Sequence, residues 1–398
     1  MRILYRILDW AEARRVPVFL QQMWGNTTWN ALPELRDDPK SRVRSAPLSE
    51  DDFADGFAEL VYHLVTVKGY KSIRWLSVNN EPGQSFSWWQ GPDLKPLAAT
   101  PDFRKVRSAL DRRGIVLPVS GPDWTDMPPM DPAKIDFDPY IGAYDIHSYL
   151  AHLDQPGKTD DEYSMSTTVS RIGAWAEWAH RHGKPFFLSE IGSMAYGWGG
   201  SNPEPGSYEA NLKDASLVVR GINAGVEGFN RWSFLNRGDL DGQWQMLDTW
   251  DAKTARLLPE FRPHPNSYYM WALMTRYTAA NSQVLKLQTE GGTVDGVQRL
   301  AAAALRSPRG QVTVLVVNEA MEDMAGTFVF EKLAGSLHFY RYQITPSIRD
   351  RAHIELKPGA KFAVHRGRAV FTDDLPARSI TVYSTYKLGP RSKGVQVE

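Results

Sequence analysis

Short apolar runs alternate with amphipathic helical stretches from residue 1 to about residue 275. A parallel sheet whose strands are joined by crossover helices produces this alternation. The apolar runs predict strands at 16–24, 73–80, 115–121, 144–150, 185–192 and 226–235. The helical stretches lie at 1–15, 51–67, 101–112, 168–182 and 207–224. This order predicts an α/β fold for this part of the chain.

The pattern changes at about residue 280, where period-2 segments separated by Gly, Pro, Asp and Asn replace the helical stretches. Such a pattern is typical of an antiparallel β-sandwich. An aromatic-rich helix at 266–278 is expected to pack where the two patterns meet. We therefore predict two domains in firm contact, a barrel domain at 1–280 and a sandwich domain at 281–398.

Nearly every strand predicted before residue 280 ends in polar or aromatic residues, as the strands of a (β/α)8 TIM barrel do around its site. That barrel needs eight strands, whereas the sequence shows six and begins with a helix. We therefore predict a TIM barrel that lacks its first two strands. Such a gap would expose unpaired backbone groups. Either a second copy of the chain or a rearranged N-terminal helix closes it, or the sequence is a fragment of a longer product.

Charge and composition exclude several classes of function. The 46 basic residues balance 46 acidic ones, so neither nucleic acid nor an anionic membrane is predicted as a partner. Cysteine is absent, which excludes disulfides, thiolate metal sites and cysteine nucleophiles. No apolar run is long enough to span a membrane, and residues 1–15 lack the features of a signal peptide. The compartment stays open: secreted if a signal precedes this sequence, cytoplasmic otherwise.

Two glutamates fall at equivalent places, at the ends of predicted strands. Glu81 stands in "SVNNEP" and Glu190 in "FLSEIG". Because barrel strands open at one common mouth, both carboxyls are expected to face the same cup. One protonated and one ionised carboxyl are what glycoside hydrolysis requires. Either glutamate alone has an ordinary interpretation as a helix N-terminal acid or a solvated loop residue, and the pair favours catalysis.

The "NEP" motif at 80–82, paired with Glu190, resembles the acid/base and nucleophile motifs of clan A glycoside hydrolases, which are retaining TIM-barrel glycosidases. The segment "LPARSITVYS" at 375–384 is similar to the closing strand of the sandwich found in families 30, 39 and 51 of that clan, and family 5 is a further relative. The resemblance implies that Glu190 is the nucleophile and Glu81 the acid/base. The implied reaction cleaves β-glycosidic bonds, or their stereochemical equivalent, by double displacement, without metal or organic cofactor.

The resemblance also implies a set of substrate contacts. Asn80 would donate to the sugar 2-hydroxyl, a bond that strengthens in the transition state. His147 and Tyr149 follow the strand where the clan often has an aromatic or His and a Tyr that bonds the nucleophile. Trp232 would lie beneath the sugar, and Trp24 could line the same cup. Each of these residues also has an ordinary structural interpretation, such as a strand-end turn for Asn80 or core packing for a tryptophan.

The predicted partner is an oligo- or polysaccharide, but neither the sugar nor the choice between exo and endo cleavage is predicted. Loop aromatics suit an extended chain, whereas the long loops at 26–50 and 193–207 would suit a closed pocket. A non-catalytic carbohydrate-binding protein is an alternative, although both glutamates are present. A metal-dependent hydrolase is another, but it needs several His and Asp ligands at strand ends, and only His147 is so placed.

Overall fold

The structure is a computed structural model that describes residues 1–21, 28–84, 89–97, 101–149, 151–158, 161–193, 205–235, 244–251, 254, 256–333, 335–351 and 353–389. Within these ranges the helices are α1 (Arg2–Arg14), α2 (Pro39–Arg42), α3 (Glu50–Tyr62), α4 (Phe103–Arg112), α5 (Met165–Arg181), α6 (Tyr208–Ala224) and α7 (Pro265–Arg276). The first strands are β1 (Val18–Gln21), β2 (Ile73–Ser77), β3 (Val119–Trp124), β4 (Ala143–Ser148), β5 (Phe186–Ile191), β6 (Gly228–Arg231), β7 (Leu247–Asp251) and β8 (Arg256–Pro263). The later strands are β9 (Gln283–Leu285), β10 (Thr293–Val294), β11 (Val297–Gln298), β12 (Leu300–Arg306), β13 (Val312–Asn318), β14 (Met324–Leu333), β15 (Leu337–Ile344), β16 (Ala360–Val364), β17 (Gly367–Leu375) and β18 (Ser379–Ser384).

Strands β1 to β6 form one six-stranded sheet in chain order within the described residues. The pairs β1–β2, β2–β3 and β3–β4 are parallel. Each of the six predicted strands is present and helices join them, so the α/β prediction for this part of the chain is confirmed.

Strand β3 begins at Val119, later than the residue 115 predicted from the apolar run at 115–121. Val116 is 92% exposed, and the Leu76 amide bonds the carbonyl of Pro118, so pairing with β2 starts only there. At its other end the strand extends further than predicted, to Trp124.

The contacts divide the chain into two compact units. The first comprises residues 1–148 and 174–189, and the second comprises 149–173 and 190–398. The division falls inside strand β5, between Ser189 and Glu190. It does not test the predicted domain boundary at 280, which stays a prediction.

The first unit contains strands β1 to β4 and helix α3. Ser49 caps α3 by accepting the Asp52 amide hydrogen at 3.1 Å, and acids occupy its first turn, where the helix dipole favours them. Phe19 of β1 contacts Phe187 of β5, with ring centroids 6.1 Å apart. Because three strands separate β1 from β5 in the sheet, this contact requires a strongly curved sheet.

The second unit contains the antiparallel strands. A six-stranded sheet has the order β16-β15-β18-β13-β12-β9, and β14 pairs with β17. Phe371 of β17 shares a core with Val314 of β13, Phe339 of β15 and Tyr383 of β18. The β14–β17 pair therefore covers one face of the larger sheet. Antiparallel pairing after residue 280 is confirmed.

Helices α6 and α7 attach to this antiparallel sheet within the second unit. The Tyr208 hydroxyl of α6 donates to the Arg378 carbonyl at 2.7 Å, and Arg220 pairs with the buried Glu319 at 3.1 Å. Tyr277, directly after α7, stacks on Tyr342 with centroids 4.1 Å apart. The predicted aromatic-rich helix thus packs on the sheet, and α6 adds a second contact. None of the described helices has the length and apolar character needed to cross a membrane.

Candidate active site

Glu81 lies in the turn that follows strand β2. Its φ of 46° is in the left-handed region, which residues with a side chain seldom adopt and which is often found at functional sites. The side chain is 12% exposed, and Oε1 lies 2.8 Å from Nδ1 of His147. The sheet therefore presents Glu81 as a partly buried carboxyl bonded to an imidazole.

His147, near the end of β4, bridges two carboxylates. While Nδ1 faces Glu81, Nε2 lies 3.0 Å from Oδ1 of Asp123, at the end of β3. The His147 and Asp123 side chains are only 1% and 2% exposed. Three strand ends thus contribute to one hydrogen-bonded chain of side chains, from Asp123 through His147 to Glu81.

Asp123 is itself held by its neighbours. Gln21, the last residue of β1, donates Nε2 to Asp123 Oδ2 at 2.9 Å, and Ser189 of β5 donates to Oδ1 at 3.4 Å. The Asp123 amide hydrogen bonds Asp145 Oδ1 at 2.9 Å. Asn80 is buried beside this group, with its Oδ1 3.4 Å from Gln21 Nε2. Side chains from three strands, Gln21 of β1, His147 of β4 and Ser189 of β5, therefore fix the orientation of the Asp123 carboxylate.

Two further carboxyls near this chain have raised pKa values. Burial, and then the charge of Asp123, raises the pKa of Asp145 to about 8. Burial, and then the charge of Glu81, raises the pKa of Asp126 to about 6. Met127, next to Asp126, donates its amide hydrogen to the His147 carbonyl at 3.1 Å. Carboxyls with raised pKa values thus lie close together here, as is common at active sites.

Glu190 belongs to the second unit, at the end of strand β5 and partly buried. The next residue, Ile191, accepts the Trp232 amide hydrogen at 2.9 Å, which places Trp232 beside the end of this strand. The buried Tyr149 packs edge-on against Trp244, with centroids 5.3 Å apart. Both rings lie against Gly192, where an added Cβ would be 2.6 Å from Trp244 and 3.1 Å from Tyr149.

Arg231, the last residue of β6, anchors this aromatic pair. Its Nε lies 2.8 Å from Asp214 Oδ2 of α6, and the two side chains are 1% and 0% exposed. Its Nη1 donates to the Trp244 carbonyl at 3.1 Å, and the guanidinium lies 5.8 Å from the Trp244 ring centroid. Burial raises the pKa of Asp214, and the charge of Arg231 opposes that rise.

The model of the cellulase family, glycosyl hydrolase family 5, matches residues 4–215, just over half of the chain. The chain belongs to this family. It is therefore a glycoside hydrolase of clan A, and the resemblance found in the sequence is confirmed. A search of the curated proteins found no match.

Solved structures share the fold of this family 5 hydrolase at low sequence identity. A GH30 endoxylanase from Clostridium papyrosolvens has a TM-score of 0.60 at 14% identity, covering 95% of this chain and 81% of that one. An α-L-arabinofuranosidase from Thermotoga maritima has a TM-score of 0.58 at 15% identity, covering 96% and 89%. A bifunctional glucanase-xylanase from a metagenome library has a TM-score of 0.53 at 12% identity, covering 84% and 68%. These likenesses concern the fold alone.

The structure places the predicted site residues of the family 5 hydrolase in two groups. Glu81, Asn80 and His147 belong to the first unit, and Glu190, Tyr149 and Trp232 belong to the second. Trp24 lies outside the described residues. The substrate-binding role of each residue stays a prediction.

Sequence reasoning missed Asp123, Gln21 and Asp126. Asp123 is the second residue after the predicted strand 115–121, and Glu81 is the first after its own, so the same strand-end rule would have selected Asp123. Gln21 is a polar residue within the apolar run at 16–24, which is a weaker signal. Asp126 carries no signal of its own, because its surroundings depend on the loop conformation.

Proposed function

We propose that the protein is a retaining hydrolase of β-glycosidic bonds in oligo- or polysaccharides, with Glu190 as nucleophile and Glu81 as acid/base. The observation that carries the proposal is the hydrogen bond between Glu81 and His147, at the end of a parallel strand in a family 5 chain. A carboxyl held in this way can deliver and recover a proton in a fixed direction.

The fold provides the second argument. Strands β1 to β6 correspond in this proposal to strands three to eight of a TIM barrel, followed by a β-sandwich. Glu81 then follows the fourth strand and Glu190 ends the seventh. These are the positions that clan A uses for its acid/base and its nucleophile, as the "NEP" motif at 80–82 suggests.

The proposed reaction has two steps. In the first, a Glu190 oxygen bonds to the anomeric carbon while the bond from that carbon to the leaving oxygen breaks, and Glu81 gives its proton to that oxygen. In the second, water bonds to the anomeric carbon, the ester bond to Glu190 breaks, and Glu81 takes the proton from water. Glu81 thus returns to its protonated form, and the sugar keeps its configuration.

Glu81 suits the acid/base role because its two oxygens differ. Oε1 bonds His147, whereas no hydrogen bond to Oε2 is found among the described residues. The 12% exposure of the side chain leaves access for a substrate while most of the group is shielded from water. In this proposal Oε2 carries the transferred proton, and Asn80, Tyr149 and Trp232 contact the sugar.

The structural neighbours support the choice of substrates to test, because two of them are named as a xylanase and a glucanase-xylanase. Xylan and β-glucan are therefore the polymers to assay first, together with aryl β-xylosides and β-glucosides. The decisive experiment follows the first product by proton NMR before mutarotation. A β-configured product supports retention, whereas an α-configured product would refute the double displacement.

A further inference from the structure

Asp123 is a buried carboxylate that the two-glutamate mechanism does not use. It is hydrogen-bonded to His147, which is in turn hydrogen-bonded to Glu81 Oε1. With its side chain 2% exposed, it is too enclosed to meet a polysaccharide. Its position instead suggests an effect on Glu81 that passes through the imidazole.

Counting protons shows what Asp123 does to His147. An ionised carboxylate only accepts hydrogen bonds, and a neutral imidazole has one N–H and one bare nitrogen. His147 can therefore satisfy ionised Asp123 through Nε2 and still donate to Glu81 through Nδ1 only when both ring nitrogens carry hydrogen. Without Asp123, the neutral ring could direct its bare nitrogen toward Glu81, and Glu81 Oε1 would have to supply the proton of that bond.

Neighbouring side chains donate hydrogen bonds to the Asp123 carboxylate. Gln21 donates to its Oδ2 at 2.9 Å, and Ser189 donates to its Oδ1 at 3.4 Å. Asp145 Oδ1 accepts the Asp123 amide hydrogen at 2.9 Å, and burial together with the charge of Asp123 raises the pKa of Asp145. Within the first unit, the carboxyls around His147 also include Glu81 itself and Asp126, whose loop bonds the His147 carbonyl through Met127. Strand β5 contributes Ser189 and continues into Glu190.

We propose that Asp123 is a positioning residue: it holds His147 so that Nδ1–H faces Glu81 Oε1, which leaves Oε2 as the oxygen that carries the proton for the leaving group. The proposal rests on the acid/base role proposed for Glu81. It assigns to His147 a function in orienting the acid, separate from any contact with sugar. Orienting a catalytic group through a buried carboxylate and an imidazole is an established arrangement in other enzymes.

The test compares Asp123→Asn with Glu81→Gln on two aryl β-glycosides, one with an acidic phenol and one with a weakly acidic phenol. The acidic phenol leaves without a proton, so only the weakly acidic substrate depends on the acid. For Asp123→Asn we expect kcat/KM to fall roughly 10–100-fold on the weakly acidic substrate, the usual effect of losing such a supporting group. For the glycoside of the acidic phenol, kcat/KM should change by less than about threefold, because the attack of Glu190 does not depend on Asp123.

Two further variants separate this role from general damage to the fold. Asp138→Asn removes another partly buried carboxylate of the first unit, which is bonded to Lys184 and Tyr144. It should change kcat/KM equally for both substrates or not at all. Gln21→Leu removes the donor to Asp123 Oδ2 and should reproduce the leaving-group dependence more weakly. If Asp123→Asn fails to fold, Gln21→Leu carries the test.

Ring nitrogen NMR of His147 gives a readout that does not need activity. In the intact protein both nitrogens should carry hydrogen near neutral pH, with the His147 signals assigned by their loss in His147→Gln. Asp123→Asn should shift one nitrogen to the unprotonated state at the same pH. Unchanged ring nitrogens in Asp123→Asn would overturn the proposal.

The outcomes distinguish this inference from the proposed function. If Glu81→Gln shows leaving-group dependence and Asp123→Asn does not, Glu81 is the acid and the role of Asp123 is refuted. If Glu81→Gln shows none although the intact protein is active, the acid/base assignment is wrong and the inference falls with it. Leaving-group dependence in both variants, with the pH–rate profile of Asp123→Asn altered on the weakly acidic substrate alone, supports the inference.

Discussion

The indole ring of Trp244 lies directly against the backbone of Gly192, two residues beyond Glu190. A Cβ at residue 192 would be 2.6 Å from Trp244 Cζ3, closer than side-chain carbons approach in folded proteins. The ring is buried and is anchored by Arg231, so it has little freedom to move away. The end of strand β5 is therefore positioned by a contact that only glycine permits.

Replacing Gly192 by alanine should displace either Trp244 or the end of β5. Overpacking of this kind costs about 1–3 kcal/mol, and a shift of the strand that carries Glu190 should lower kcat at least tenfold, as about 1.4 kcal/mol in the barrier would. The matched control is Gly173→Ala in α5, where nothing lies within 4 Å of the added Cβ. That control should stabilise the helix by about 0.5–1 kcal/mol and leave kcat unchanged. Equal activities of the two variants would contradict the role given to Gly192.

The two glutamates proposed as catalytic, Glu81 and Glu190, should fail in different ways when each is replaced by alanine. Glu81→Ala should still form the covalent intermediate from aryl glycosides with acidic phenols, and added azide should release it as the β-glycosyl azide. Glu190→Ala forms no intermediate, so azide can enter only from the vacated face and gives the α-glycosyl azide. The measurement is the anomeric configuration of the azide product by NMR. The opposite pattern would mean that the two roles are reversed.

The buried ion pair between Asp214 and Arg231 should be important for folding. Asp214→Asn leaves the guanidinium buried without its counter-ion, which costs about 3–5 kcal/mol. The control is Asp55→Asn, which removes exposed pairs with Arg112 and Arg113 and should cost at most about 1 kcal/mol. Thermal and urea denaturation of both variants measure the difference. Similar losses of stability in the two variants would contradict the importance given to the buried pair.

Asp126 should make stability depend on pH. Its pKa is about 6 in the folded chain, compared with the ordinary value of 3.8, so the folded state binds the proton more tightly than the unfolded state. Its contribution to stability is therefore complete below about pH 4 and is lost as the pH rises through 6. Relative to the intact protein, Asp126→Asn should gain Tm between pH 4 and pH 7. A Tm difference that is constant over this range would contradict the burial of Asp126 beside Glu81.

The order of helices and strands was determined by the sequence alone, as was the change to antiparallel pairing after residue 280. Both depend on the period at which apolar residues recur, and that period is a local property. The "NEP" motif at 80–82 likewise identified Glu81 from adjacent residues. Even so, the register of β3 could not be predicted, because the apolar run around Pro118 says nothing about where its neighbour begins to pair.

The environment of Glu81 was decided only by the tertiary structure. His147 is 66 residues from Glu81 and 24 from Asp123, and the three meet because the ends of β2, β3 and β4 are neighbours in one parallel sheet. The same holds for Trp244 and Gly192, which are 52 residues apart in the sequence (244 − 192) and meet through a single close contact. A sequence pattern shows which face of an element is apolar. It does not contain the sheet order, the register or the rotamers that bring distant polar groups within 3 Å of each other, since these follow from the packing of the whole unit.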